Sequence, residues 1–332
     1  MAESSFSRGG AGTGLHRFAV LTAAATLCLI VAGGLVTSTE SGLSVPDWPT
    51  TYGQNMFTFP PSMMVGGILF KHTHRLIAST VGLLTVILAF WLARREPRRW
   101  VRRLGYLAVG AVVAQGLLGG LTVLLFLPPA VSVAHACLAQ TFFCLTVAIA
   151  VVTSRRWKDR APVSLRAAYA ASPVARIAAG TGAVVFLQLL VGAVMRHTKA
   201  GLAIPDFPLA LGRIVPPLAS FPVAIHFAHR VGALVVAAFV ALCVVRAFRS
   251  GRPGVARTSL WLAALVLLQG ALGAATVLTG KAVIVTTAHV ATGALLLGST
   301  IAFGFASLAA ERRRGNVIPI RPAQAGKAAA WK

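Results

Sequence analysis

The chain has 332 residues, of which 57% are hydrophobic and only 11% charged, and its mean hydropathy is +0.79. A water-soluble domain of this length cannot hide so much apolar surface, so an integral membrane protein is expected. The net charge of +24 does not mark a nucleic-acid partner, because the cations lie between apolar runs rather than on one face.

Eight apolar runs are long enough to cross a hydrocarbon core of ~30 Å as helices. In chain order they cover about residues 16–37, 66–93, 104–126, 131–153, 174–195, 221–246, 258–279 and 283–309. Continuous apolarity, rather than alternation, excludes a membrane barrel. The acids Glu3, Glu40, Asp47, Glu96, Asp159, Asp206 and Glu311 all fall outside these runs. Residues 94–103, 155–176, 246–257 and the segment from Arg312, with Arg8 and Arg17, hold 24 of the 31 Lys and Arg. The positive-inside rule puts these connections and both termini in the cytoplasm. The first run has the basic start and apolar stretch of a signal peptide, but it matches the fifth run in the repeat described next and is expected to be retained. Cys28, Cys137, Cys144 and Cys243 all fall in spans, so neither a loop disulfide nor a zinc spacing is expected.

The order of motifs is duplicated. Residues 39–49 (TESGLSVPDWP) align with 198–208 (TKAGLAIPDFP) at an offset of 159. His74-Arg75 aligns with His229-Arg230 at 155, and Gln115-Gly116-x-x-Gly119 with Gln269-Gly270-x-x-Gly273 at 154. His135 aligns with His289, also at 154. The expected architecture is all-α: two tandem, pseudo-symmetric four-helix bundles, 1–155 and 156–310, then a disordered basic cytoplasmic tail, 311–332.

Of the eight histidines (His16, His72, His74, His135, His197, His226, His229 and His289), four recur at matched positions inside apolar runs. A polar side chain there is costly and points to function. Counting ~1.5 Å per residue from the run starts puts His74 and His135 at one depth, roughly 6–12 Å below the outer surface. His229 and His289 follow at the same depth. Facing imidazoles on neighbouring bundle helices suit axial ligation of heme iron. A bare zinc ion wants three or four ligands, and the runs offer no carboxylate or thiolate cluster to complete a pair. Gly116, Gly119, Gly270 and Gly273 allow either close helix packing or room for a macrocycle. Arg75 and Arg230 need an anion, for which a heme propionate or the outer headgroups would serve. The Gly- and Pro-interrupted segments from residues 42 and 201 exclude an α-helix. They suit either the interfacial aromatic belt, through Trp48 and Phe207, or lids fixed by Asp47 and Asp206.

These residues, taken together, resemble the heme A synthase family over about residues 16–310. The resemblance rests on TESGLSVPDWP (39–49), His72-Thr73-His74-Arg75, His135-Ala136, His229-Arg230 and His289. It implies a membrane oxidoreductase of cytochrome oxidase assembly that oxidises a ring methyl of heme O to a formyl group, giving heme A. It also implies that His74 and His135 hold the substrate heme O, and that His229 and His289 hold a heme b. The implied partners are the lipid membrane, a heme O-producing enzyme and an electron donor, and a homo-oligomer is compatible with it. The family has a Glu three residues before the first ligand His, proposed to act in the chemistry, where this chain has Lys71. The loop cysteine pair of some members is also missing. A diheme electron-transfer protein without catalysis is the first alternative, and a heme or small-molecule transporter the second.

Overall fold

The computed structural model describes residues 8–159 and 164–314, with side chains over 13–159 and 164–310. Ten α-helices and three short 3-10 turns occupy the described residues. In chain order the helices are α1 (Arg8–Ser38), α2 (Gly67–Arg95), α3 (Arg99–Leu124), α4 (Pro129–Thr153), α5 (Arg155–Lys158), α6 (Leu165–Ala171), α7 (Pro173–His197), α8 (Phe221–Arg249), α9 (Pro253–Leu278) and α10 (Val283–Arg314). Eight of them, all but α5 and α6, are long and apolar enough to cross a membrane, which makes this a multi-pass membrane protein.

Local chemistry explains these elements. Proline opens α4, α7, α8 and α9 within their first two residues, where its missing N–H costs nothing. Within the spans, hydroxyls turn back onto their own helix. Thr26, Thr85 and Thr300 each donate to the carbonyl four residues earlier at 2.7–2.8 Å, so buried polar atoms need no partner in lipid.

Helices α1 to α4 close one ring of neighbours, and α7 to α10 close another. The two rings meet along a seam where α1 and α4 touch α10, and α4 touches α7. Each ring has its own buried apolar cluster, and a third joins Ile30, Phe143 and Ala294 across the seam. At Gly298 an added Cβ would lie 2.6 Å from a Phe143 ring atom, so glycine permits that close crossing.

Several boundaries differ from expectation. Helices α3 and α9 begin about five residues before the apolar runs do: α3 through an arginine-rich first turn that continues the helix beyond the hydrocarbon, and α9 from Pro253, which suits a first helical position. The basic connection 155–176 contains α5 and α6. Residues 311–314 extend α10 rather than belonging to the tail, and the rest of the expected tail lies outside the described residues. At this basic end Glu96 is buried and paired with Arg98 at 2.6 Å and Lys158 at 3.5 Å, while Arg98 also donates to Val152 O at 2.8 Å. Burial opposes the Glu96 charge, but the Arg98 hydrogen bonds and charge outweigh it and hold the carboxyl below its usual range.

Candidate functional site

The opposite end carries the two long loops. Each follows a helix that stops at a left-handed residue, Glu40 after α1 and Lys199 after α7. A 3-10 turn comes next, Ser41–Leu43 or Ala200–Leu202, and the chain then folds onto an aspartate. Asp47 accepts from the amides of Tyr52 and Gly53 at 2.9 Å and from the Thr50 hydroxyl. Asp206 accepts from the amides of Leu211 and Gly212 at 2.8 Å. Partial burial works against the Asp47 charge, yet the Gly53, Thr50 and Tyr52 donors prevail and bring its pKa down to about 2.

Arg75 and Arg230, expected at a propionate or the headgroups, direct Nη donors at these loops. Arg75 donates to Thr50 O at 2.8 Å, Val45 O at 3.3 Å and Asp47 O. Arg230 donates to Leu209 O, Ile204 O and Asp206 O at 2.7–2.9 Å. Each guanidinium thus ties its loop to the helix that bears a candidate ligand histidine. In the second half His226 adds a tie, accepting from Ile204 N at 3.3 Å. In the first half the neighbouring position does so, with the buried His72 Nδ1 3.1 Å from Thr51 Oγ1. Trp48 packs onto α3, where an added Cβ at Gly120 would lie 2.6 Å from its ring.

Beneath the loops lie the four repeated histidines. His74, His135, His229 and His289 are the eighth, seventh, ninth and seventh residues of α2, α4, α8 and α10, so they share one level. All four are half-buried. The His229 and His289 ring centres are 6.3 Å apart with planes inclined at 75°. A metal between two imidazoles, with nitrogen–metal bonds of about 2 Å and about 1 Å more to each ring centre, calls for a separation of about 6 Å. Among the described residues no three His, Cys, Asp or Glu converge as a bare ion would need. Two imidazoles at this spacing therefore fit an iron porphyrin, which brings its own four nitrogens.

Each ring rests on a glycine of the neighbouring helix. An added Cβ would lie 3.1 Å from His74 Cε1 at Gly33, 3.2 Å from His135 Cε1 at Gly119, 2.9 Å from His229 Cε1 at Gly192 and 3.1 Å from His289 Cε1 at Gly273. At Gly192 the imidazole occupies the space a side chain would take, and at the other three a Cβ would make a tight contact. Gly116 and Gly270, from the same sequence motif, face no heavy atom within 4 Å. Glutamines hold three of the rings. Gln115 Nε2 is 3.3 Å from His135 Nε2 and donates to His135 O at 3.0 Å. Gln269 Nε2 lies 3.5 Å from His289 Nε2. Gln188 Nε2 lies 3.0 Å from His229 Nδ1 and donates to His229 O at 2.7 Å. The repeat mate of Gln188 is Leu29, and His74 makes no hydrogen bond with a described residue. Sequence reasoning missed Gly33, Gly192 and Gln188. The glycines were signalled by their offset of 159, the same as the loop motif.

Lys71, expected in the chemistry, is buried one turn before His74. At the seam, Arg196 donates to Gly34 O at 3.0 Å and Ser38 Oγ at 2.8 Å, and Ser38 also receives Thr287 Oγ1 at 3.2 Å. The cysteines are all free.

Comparison with known proteins gives one consistent result. A heme A synthase of Halalkalibacterium halodurans is 30% identical over 290 residues, 83% of this chain and 92% of that protein. The heme A synthase of Symbiobacterium thermophilum is 32% identical over 267 residues, 78% of this chain and 84% of its own length. That of Geobacillus kaustophilus is 28% identical over 322 residues, 95% of this chain and 97% of its own. The family model COX15-CtaA, cytochrome oxidase assembly protein, matches residues 16–63 and 66–301, and with these relatives it shows that the chain belongs to that family.

Proposed function

We propose that the chain is a heme A synthase of the cell membrane, with α1 to α4 taking heme O as substrate and α7 to α10 holding a resident heme b. The observation that carries this reading is the 6.3 Å separation of the His229 and His289 rings. The reaction is oxidation of a ring methyl of heme O to the formyl group of heme A, with the loop end of the molecule toward the outer face. A bound heme b supplies one-electron chemistry, at a potential governed by its axial ligands and their surroundings.

The chain's own residues divide the work. His229 and His289 would hold the second-half iron, and Gln188 and Gln269 lie against their rings and restrict how they turn. His74 and His135 hold the substrate iron. His74 rests on Gly33 but has no amide partner, so its ring is freer to release a ligand that must leave as product. Arg75, Asp47, Arg230 and Asp206 hold the loops over the two sites and restrict access of water. A heme O-producing enzyme and an electron donor complete the scheme, and the chain is free to act as a homo-oligomer.

The test is extraction and mass identification of the pigments in purified protein, with spectra of His229→Ala and His289→Ala. Heme b together with heme O or heme A is expected, and either substitution abolishes the heme b spectrum. Absence of heme, or an unchanged spectrum in both variants, sinks the reading. Heme b alone would favour a non-catalytic diheme electron carrier, the reading suggested by Lys71 at the position of the family Glu.

A further inference from the structure

Lys71 lies three residues before His74 on α2, so the two side chains share a helix face, while Arg75 turns away to the loop. Lys71 is only 7% exposed and makes no hydrogen bond or ion pair with any described residue. The eight spans contain no Asp or Glu. Neither acid of the first-half loop pairs with Lys71: Asp47 accepts three hydrogen bonds from its own loop, and Glu40 is exposed beyond the end of α1. Three other cations toward the loop end of the spans are engaged with carbonyls or hydroxyls, Arg75 and Arg230 with the loops and Arg196 with α1. The repeat supplies a contrast. His226, the mate of Lys71, is tied to Ile204 N, whereas in the first half the loop is tied by His72, which leaves Lys71 outside the loop's hydrogen bonds, one turn from His74. An unneutralised ammonium in a low-dielectric interior is costly and calls for an anion.

We propose that Lys71 is the receptor for a carboxylate of the porphyrin taken up by the first half, a substrate-positioning ion pair that the second half lacks. The inference rests on the reading of α1 to α4 as a heme site. Lys71 stands between His74 and the loop end, so the pair would fix the macrocycle's rotation about the iron with its carboxylate edge toward the loops. A charge-assisted hydrogen bond of this kind is shorter and stronger than a neutral one.

The experiment titrates the full-length protein, carrying its second-half heme, with hemin and with hemin dimethyl ester, read by the low-spin Soret band. The wild type binds the free acid at least tenfold tighter than the diester. Lys71→Met removes that preference, Lys71→Arg keeps most of it, and Lys71→Glu weakens the free acid most of all. Equal wild-type affinities, or a preference that survives in Lys71→Met, overturns the role of Lys71 while leaving the heme site intact. If neither ligand produces a low-spin band in the wild type, the underlying heme reading fails instead. A melting measurement without added hemin guards against misfolding: Lys71→Met melts at or above the wild-type temperature, because it removes an unpaired buried charge.

Discussion

Gly192→Ala tests how the second-half imidazole is held. The new Cβ would sit 2.9 Å from His229 Cε1, whereas carbon atoms in ordinary contact are about 3.5–4.0 Å apart. The ring or α7 must therefore yield by roughly 0.6–1 Å. Retreat of the ring is opposed by Gln188, which contacts both Nδ1 and the His229 carbonyl. Overpacking of this kind costs about 1–3 kcal/mol, and the replacement of a helical glycine returns about 0.5–1 kcal/mol. The net loss of about 1 kcal/mol corresponds to roughly a fivefold to tenfold weaker hold on heme b, with a displaced low-spin resonance as the ring tilts. Heme per polypeptide, the electron paramagnetic resonance spectrum and the melting temperature are compared with Gly110→Ala, a position with no heavy atom within 4 Å of the new Cβ. Wild-type occupancy and resonance in Gly192→Ala would refute the idea that this glycine supports the ring.

Gln188→Leu installs the residue found at the matching first-half position; it should shift the heme b midpoint potential and weaken retention about tenfold, without a large change in melting temperature. Glu96→Gln breaks the buried contacts to Arg98 and Lys158 and should cost about 1–3 kcal/mol, discounted for the partial exposure of both cations. Because the Glu96 carboxyl is held below its usual range, this stabilisation is complete above the ordinary carboxylate pKa and is lost as pH falls through the lowered one; thermal melts of wild type and Glu96→Gln should converge in acid. Asp47 has a folded pKa of about 2 against an ordinary 3.8, so the loop it closes should stay equally resistant to proteolysis from neutral pH to about pH 4 and loosen only below that. Asp47→Asn, with one acceptor oxygen in place of two, should loosen that loop already at neutral pH.

The loop arginines show where sequence reasoning stopped. Arg75 and Arg230 were legible as cations that needed an acceptor, and a propionate was a chemically sound answer. Backbone carbonyls of a Pro-rich loop do not stand out in a sequence, because every residue has one. Gln115 and Gln269 lay in plain view inside a repeated motif, yet their contact with the candidate ligand histidines emerged only when α3 met α4 and α9 met α10. Gln188 was harder still, since it breaks the repeat.

Length and apolarity determined the eight spans, because a helix in lipid must satisfy its own backbone and needs a set number of apolar residues to cross. Counting from helix starts also put the four histidines at similar positions along their helices. Only the tertiary structure decided what each side chain faces around the helix axis. Spans that are apolar on every side carry no polar stripe to reveal their rotation, so the glycine beneath each imidazole, the glutamines beside them and the free ammonium of Lys71 came into view only when the helices packed.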